Sequence, residues 1–218
     1  GDLGFSAASL GLLTSVYFIS FASFQLPLGL LLDRFGPRRT ESVLLIFAAL
    51  GALIFSMAES LSGLILGRLL IGFGVSACLM ASFKAYVLWF PPDRLPLMNG
   101  LQMVAGGLGA MSATVPLRTA LEFTDWRGVF LILSGLTLFS ALVLWLVYPE
   151  KEGSAGPVPM KKQLEGLKTV LTSRPFLAIA PLVMFSQSAQ MAIQGLWAKP
   201  WLRDVGGLDE AECANQLM

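Results

Sequence analysis

Gly29-Leu30-Leu31-Leu32-Asp33-Arg34-Phe35-Gly36-Pro37-Arg38-Arg39 closes a long apolar run. No charge occurs between Asp2 and Asp33, and then Asp33, Arg34, Arg38, Arg39 and Glu41 crowd together. An uncharged run ending in a tight, basic, glycine-containing turn is how a transmembrane helix meets the cytosol. Gly29 and Gly36 permit close helix approach and a tight turn. Asp33 at a helix C-terminus opposes its own dipole, so it is better placed facing another helix N-terminus or an arginine. A solvated flank is the plainer alternative for this stretch.

The composition agrees with a membrane protein. Of 218 residues, 55% are hydrophobic and 13% charged. Soluble domains carry about 25% charged residues. A net charge of +1 argues against nucleic acid, which demands a basic face. There is no histidine, which removes the common zinc and histidine-base sites, and nothing calls for a cofactor or metal. Cys78 lies in an apolar run and reads as a small core residue, with no disulfide to Cys213 expected. No signal peptide is expected at Gly1, and the abrupt start and finish suggest a fragment.

Charges cut the chain into six nearly uncharged runs, Ala8–Leu32, Ser42–Ala58, Leu61–Phe90, Leu95–Leu117, Gly128–Tyr148 and Phe176–Ala198. A helix needs about 20 apolar residues to cross a bilayer. The runs do not alternate polar and apolar as barrel strands do. The expected fold class is therefore all-α, a polytopic transmembrane helix bundle. With the turn at Asp33 inside, segments 33–41, 91–94 and 149–174 hold nine basic residues, and the outer segments hold four. That asymmetry orients the chain, with loop 33–41 and linker 149–174 cytoplasmic.

Three segments follow: residues 1–148 with five spans, a linker at 149–174, and 175–218 with one span and an outer loop. Glu150 to Met160 is rich in charge, Gly and Pro and reads as a linker. Lys161 to Arg174 places Leu164, Leu167, Val170 and Leu171 on one helical face, which predicts a short amphipathic helix on the inner surface. A solvated linker with incidental leucines is the alternative.

Several residues in the spans could carry mechanism. Arg68 lies within a span, in Arg68-Leu69-Leu70-Ile71-Gly72-Phe73-Gly74. Intramembrane charges usually face a cavity or a partner, and Gly72 and Gly74 would bring carbonyls near; snorkelling to the outer surface is the competing reading. Lys84 is open to the same two readings, with Trp89 and Phe90 as an interfacial belt after it. Gly100, Gly106, Gly107 and Gly109 let one helix pack closely, or slide, against another. Gln187, Gln190 and Gln194 form a polar stripe that needs a wet cavity or a neighbouring helix. The spans at 42–58 and 128–148 are plainly apolar and should be the lipid-facing periphery.

Gly-x-x-x-Asp-Arg-x-Gly followed by paired arginines resembles the loop signature between helices two and three of the major facilitator superfamily. Arg68-x-x-x-Gly72-x-Gly74 looks like that family's fourth-helix motif, and Trp126-Arg127 before the 128–148 run is also a family feature. The linker resembles the family's central loop if one helix is missing in front. The resemblance makes the chain helices two to seven, and it implies two half-bundles rocking around a central cavity. It implies that helices four and seven line that cavity, which places Arg68, Lys84 and the glutamines there. It also implies that Asp33 and Arg34 join a charge network gripping the opposite half. Tyr17, Gln25 and Gln102 are further cavity candidates. Pro37 departs from the basic residue common at that position, and Pro116 lacks the preceding glycine of the drug/proton antiporter signature.

The function expected is secondary active transport of a small organic solute by alternating access, with protons as a possible coupling ion. Arg68 and Lys84 would suit an anion. The partners expected are lipid, the solute and the missing helices. The alternatives are a non-transporting receptor or sensor on the same fold, or an inactive truncated remnant. An enzyme is not expected, since no paired carboxylates or nucleophile–base pair lie in the spans. A bacterial inner membrane is the expected location.

Overall fold

The computed structural model describes residues 7–113, 115–149, 160–193, 197–207, 209 and 212–213. Among them the chain is helical, with no strand. In chain order the helices are α1 (Ala7–Met57), α2 (Leu61–Val75), α3 (Cys78–Trp89), α4 (Leu95–Ser112), α5 (Val115–Phe123), α6 (Trp126–Val147), α7 (Met160–Leu171), α8 (Arg174–Ala192) and α9 (Ala198–Asp204). A short 3₁₀ turn, Pro92–Arg94, precedes α4. The chain divides into two compact units, residues 1–104 with 120–158, and residues 105–119 with 159–218.

In the first unit α1 doubles back on itself. Gly36 has φ 77° and ψ 166°, a backbone region essentially reserved for glycine. Pro37 follows at once and restarts the helix, since its missing N–H is no loss in a first turn. The Thr40 hydroxyl donates to the Leu31 carbonyl at 3.3 Å. In a straight helix residues nine apart are separated by about 13.5 Å, so the arms 7–35 and 37–57 form a hairpin. Leu28 and Leu32 of one arm share a core with Leu44 of the other, with Ala77 just before α3 and with Ala81 of α3.

α2 packs against both arms, and its glycines set the distance. A Cβ at Gly72 would sit 2.5 Å from the Tyr17 carbonyl oxygen, and one at Gly74 would strike the Ala48 nitrogen. Ser20 donates to the Leu69 carbonyl at 2.7 Å. α3 continues α2 after a turn at Ser76 and Ala77, both buried. α6 runs antiparallel to the second arm and is tied to it at three levels. Arg127 Nη1 donates to the Ser56 carbonyl at 2.9 Å, Ser134 Oγ to Ala49 at 2.7 Å, and Arg38 Nε to Trp145 at 2.9 Å. The outer face of α6 exposes Leu131, Leu138, Phe139 and Leu142, the dress of a helix meeting lipid.

Three stretches are long and apolar enough to cross a membrane by length and composition: Pro27–Met57, Leu61–Trp89 and Trp126–Val147. The first contains the Gly36 reversal, so its crossing portion is the arm after Gly36. The arm before it holds the shorter apolar helix Gly11–Gln25. The run expected as one span at 95–117 divides between α4 and α5, residue 114 lying outside the described residues.

In the second unit, Glu165–Leu171 and Arg174–Ala192 meet at 68° and qualify together as a broken span. Ser173 is extended and Pro175 opens α8, which ends one helix and starts the next. α7 is helical where the leucine spacing predicts it; Val170 and Leu171 are exposed, and the Leu164 side chain is outside the described set.

Candidate functional site

The hairpin turn gathers charge at one end of the first unit. Asp33, in the last turn before Gly36, forms an ion pair with Lys84 of α3. The sequence sets the two residues in different roles, Asp33 at a gate and Lys84 in a cavity, and the fold makes them partners. Their side chains are 47% and 30% exposed, so water screens the pair. Arg34 lies 5.3 Å from the Phe35 ring centroid. Arg38 donates through Nε and Nη2 to the Trp145 carbonyl and stacks 5.3 Å from the Trp145 ring centroid. Arg39 is exposed. Trp89 and Tyr148 meet edge to face at 6.0 Å at this same end.

Arg68 sits at the seam of α1, α2 and α6. Its guanidinium carbon is 4.9 Å from the Phe55 ring centroid and 5.7 Å from that of Phe130. Its Nε is buried and has no hydrogen-bond partner among the described residues. The close approach made by Gly72 and Gly74 brings α1 backbone onto α2, but aromatic faces rather than carbonyls receive the arginine. Cation–π contacts of this kind contribute about 0.5–2 kcal/mol.

A second polar group lines the α1–α3–α4 side. Gln25 Nε2 donates to the Ser76 carbonyl at 3.1 Å, satisfying an acceptor freed where α2 breaks from α3. Tyr86 donates to Gln102 Oε1 at 2.6 Å. Sequence reasoning named Gln25 and Gln102 but missed Ser76 and Tyr86, because a helix break inside a continuous apolar run leaves no charge or proline to mark it. Charge assigns Glu41 to the 33–41 loop, whereas the structure carries it in the helix that resumes after Gly36.

The remaining candidates lie on α4 and in the second unit. Gln187 and Gln190 are exposed on α8, and Gln194 lies outside the described residues. Gly106, Gly107 and Gly109 have nothing within 4 Å of an added Cβ, so no described residue packs on them. Among the described residues no cluster of three or more His, Cys, Asp or Glu side chains forms a metal site.

Apolar helices and a basic turn between two of them define a polytopic helical membrane protein. The family model of the Major Facilitator Superfamily matches residues 1–212, and the chain belongs to that family. It is 37% identical over 109 residues to the nitrate/nitrite transporter NrtP of Picosynechococcus, covering 50% of this chain and 20% of that protein. It is 27% identical over 227 residues to the probable nitrate/nitrite antiporter NarK1 of Thermus thermophilus, covering 98% and 49%. With the probable L-galactonate transporter of Escherichia coli it shares 28% over 151 residues, 69% and 33% of the two chains. The chain thus spans about half or less of the length of these relatives.

Proposed function

We propose that the full chain carrying this segment is a secondary active transporter for a small anionic solute, working by alternating access. The observation that carries this reading is the Asp33–Lys84 pair at the Gly36 reversal, in a chain of this family. An ion pair at the inner rim, half screened by water, is cheap to break and re-form. That is what a contact must be if it opens once in each transport cycle. The relatives named above are nitrate/nitrite and galactonate transporters, and those solutes are anions. Arg68, a half-buried cation whose buried Nε has no partner among the described residues, is the residue to assign to the anion. The basic end of the first unit faces the cytoplasm on this reading, and α7 lies along the inner surface.

The two rings flanking Arg68 favour a second role for it, as a clamp holding α2 to α1 and α6. Uptake of nitrate into vesicles, beside thermal stability of the purified full chain, separates the two. Under the anion reading Arg68→Ala abolishes uptake while the protein still inserts, and Arg68→Lys raises KM. Under the clamp reading both variants lose stability by about 0.5–2 kcal/mol and KM stays. Unchanged uptake in Arg68→Ala would remove Arg68 from the solute path.

A further inference from the structure

Glu41 was placed by its charge at the edge of an inner loop, but the helix resumes directly after Gly36 and carries it inward. It heads a helical stripe with Leu44, Ala48, Gly51 and Phe55, at alternating spacings of three and four. The other four members of the stripe press on α2: Leu44 and Ala48 on Gly74, Gly51 on Ile71, Phe55 on Gly67. Glu41 continues the stripe onto the start of α3, where the Cys78 thiol lies beside its carboxyl group. Its Oε2 is buried and has no hydrogen-bond partner among the described residues.

The cations on the packed elements are engaged elsewhere. Lys84 of α3 pairs with Asp33, Arg38 of the same arm donates to the Trp145 carbonyl of α6, and Arg68 of α2 lies between Phe55 and Phe130. The titratable groups beside this carboxyl are the Cys78 thiol and, near that thiol, the Tyr17 phenol; Arg39 of the same arm is exposed. A carboxylate in an apolar seam with no cation among the described residues against it calls for a positive charge from outside. Such a group inside a membrane bundle marks an ion pathway more often than a structural contact.

We propose that Glu41 binds the coupling cation of the transporter, a proton or Na⁺, holding it while α3 covers the carboxyl and releasing it when α3 moves away. The proposal rests on the transporter reading above and gives that reading its coupling site. With a proton, one carboxyl O–H bond forms from water on one side of the membrane and breaks to water on the other. With Na⁺, the carboxylate oxygens coordinate the ion directly. The Ser76–Ala77 turn lets α3 move while the α2 glycines stay locked on α1.

The first test is labelling of the full chain in detergent with dicyclohexylcarbodiimide, which adds to protonated carboxyls in apolar surroundings, read by mass spectrometry of the Glu41 peptide. Labelling that falls with rising pH identifies a proton; labelling that falls with added Na⁺ at constant pH identifies Na⁺. Absence of labelling, or a rate indifferent to both, overturns the proposal. The melting temperature of the parent should shift with the same variable, and Glu41→Gln should lose that shift while Ser42→Ala keeps it. A shift that survives in Glu41→Gln also overturns it. In vesicles, Glu41→Gln should retain nitrate exchange and lose accumulation driven by the cation gradient. A parent that moves no nitrate counts against the transport reading for that anion, and the labelling and melting results still decide Glu41.

Discussion

At the scale of single residues, the ion pair between Asp33 and Lys84 joins two groups that lie far apart in sequence. Exposure of both side chains keeps its contribution to stability at about 0.2–1 kcal/mol. Its effect on function is expected to be larger than its effect on stability. Asp33→Lys and Lys84→Asp should each cut nitrate uptake severely, and the double reversal Asp33→Lys/Lys84→Asp should restore it, with melting temperatures almost unchanged throughout. A double reversal as inactive as either single variant would show that the pairing is incidental. The sequence displays both residues, and hydropathy marks Lys84 as a charge in a span. The pairing was not legible, because it depends on how sharply the chain turns at Gly36. The Arg68 environment was equally hidden, since Phe55 and Phe130 are ordinary members of apolar runs until the fold sets them on either side of the guanidinium.

Among the elements, the glycines divide into two kinds that spacing alone does not separate. Gly67, Gly72 and Gly74 of α2 lie directly on α1, where an added methyl group has no room. Gly106, Gly107 and Gly109 of α4 face open space. Gly74→Ala is therefore expected to destabilise the first unit by about 1–3 kcal/mol, as overpacking does. Gly106→Ala should be neutral or stabilise by up to about 1 kcal/mol through helix propensity. Thermal unfolding of the two variants in detergent compares them directly, and equal losses would mean that Gly106 is also packed in the full chain. Helix existence was well marked in the sequence by the runs between charges. Helix ends were not. The run at 61–90 hides the Ser76–Ala77 turn, and the run at 95–117 hides the division between α4 and α5. At Ser76–Ala77 the residues are apolar or small and carry no strong stop signal, whereas Pro116 at the start of α5 is such a signal inside an otherwise apolar run.

For the whole molecule, family membership rests on residues 1–212, while the chain spans about half or less of its relatives. The first unit has two distinct ends. Asp33, Arg38, Lys84, Trp89 and Tyr148 gather at one; Glu59, Ser60, Asp125 and Arg127 at the other, where Arg127 reaches the Ser56 carbonyl. If the basic end is cytoplasmic, Pro92→Cys should react with an impermeant maleimide only from inside, and Ser60→Cys only from outside. The full chain lacking Cys78 and Cys213 is the background for that measurement. The opposite pattern would invert the orientation argued from the nine and four basic residues.

Taken alone, the order of residues determined that this chain is helical, apolar enough for a membrane, and a member of its family through the Gly29–Arg39 turn. Charge, hydropathy and the requirement that backbone groups be satisfied in lipid act on any fold the chain adopts, so they can be read without one. The tertiary structure decided which charges meet. It drew Lys84 to Asp33, set Arg68 between two rings, placed Arg38 on the end of α6 and carried Glu41 into a packed seam. Those outcomes follow from one glycine reversing α1 and a few others setting how closely α2 approaches it. Such contacts depend on distances of a few ångströms between segments far apart in the chain, which composition and periodicity do not encode.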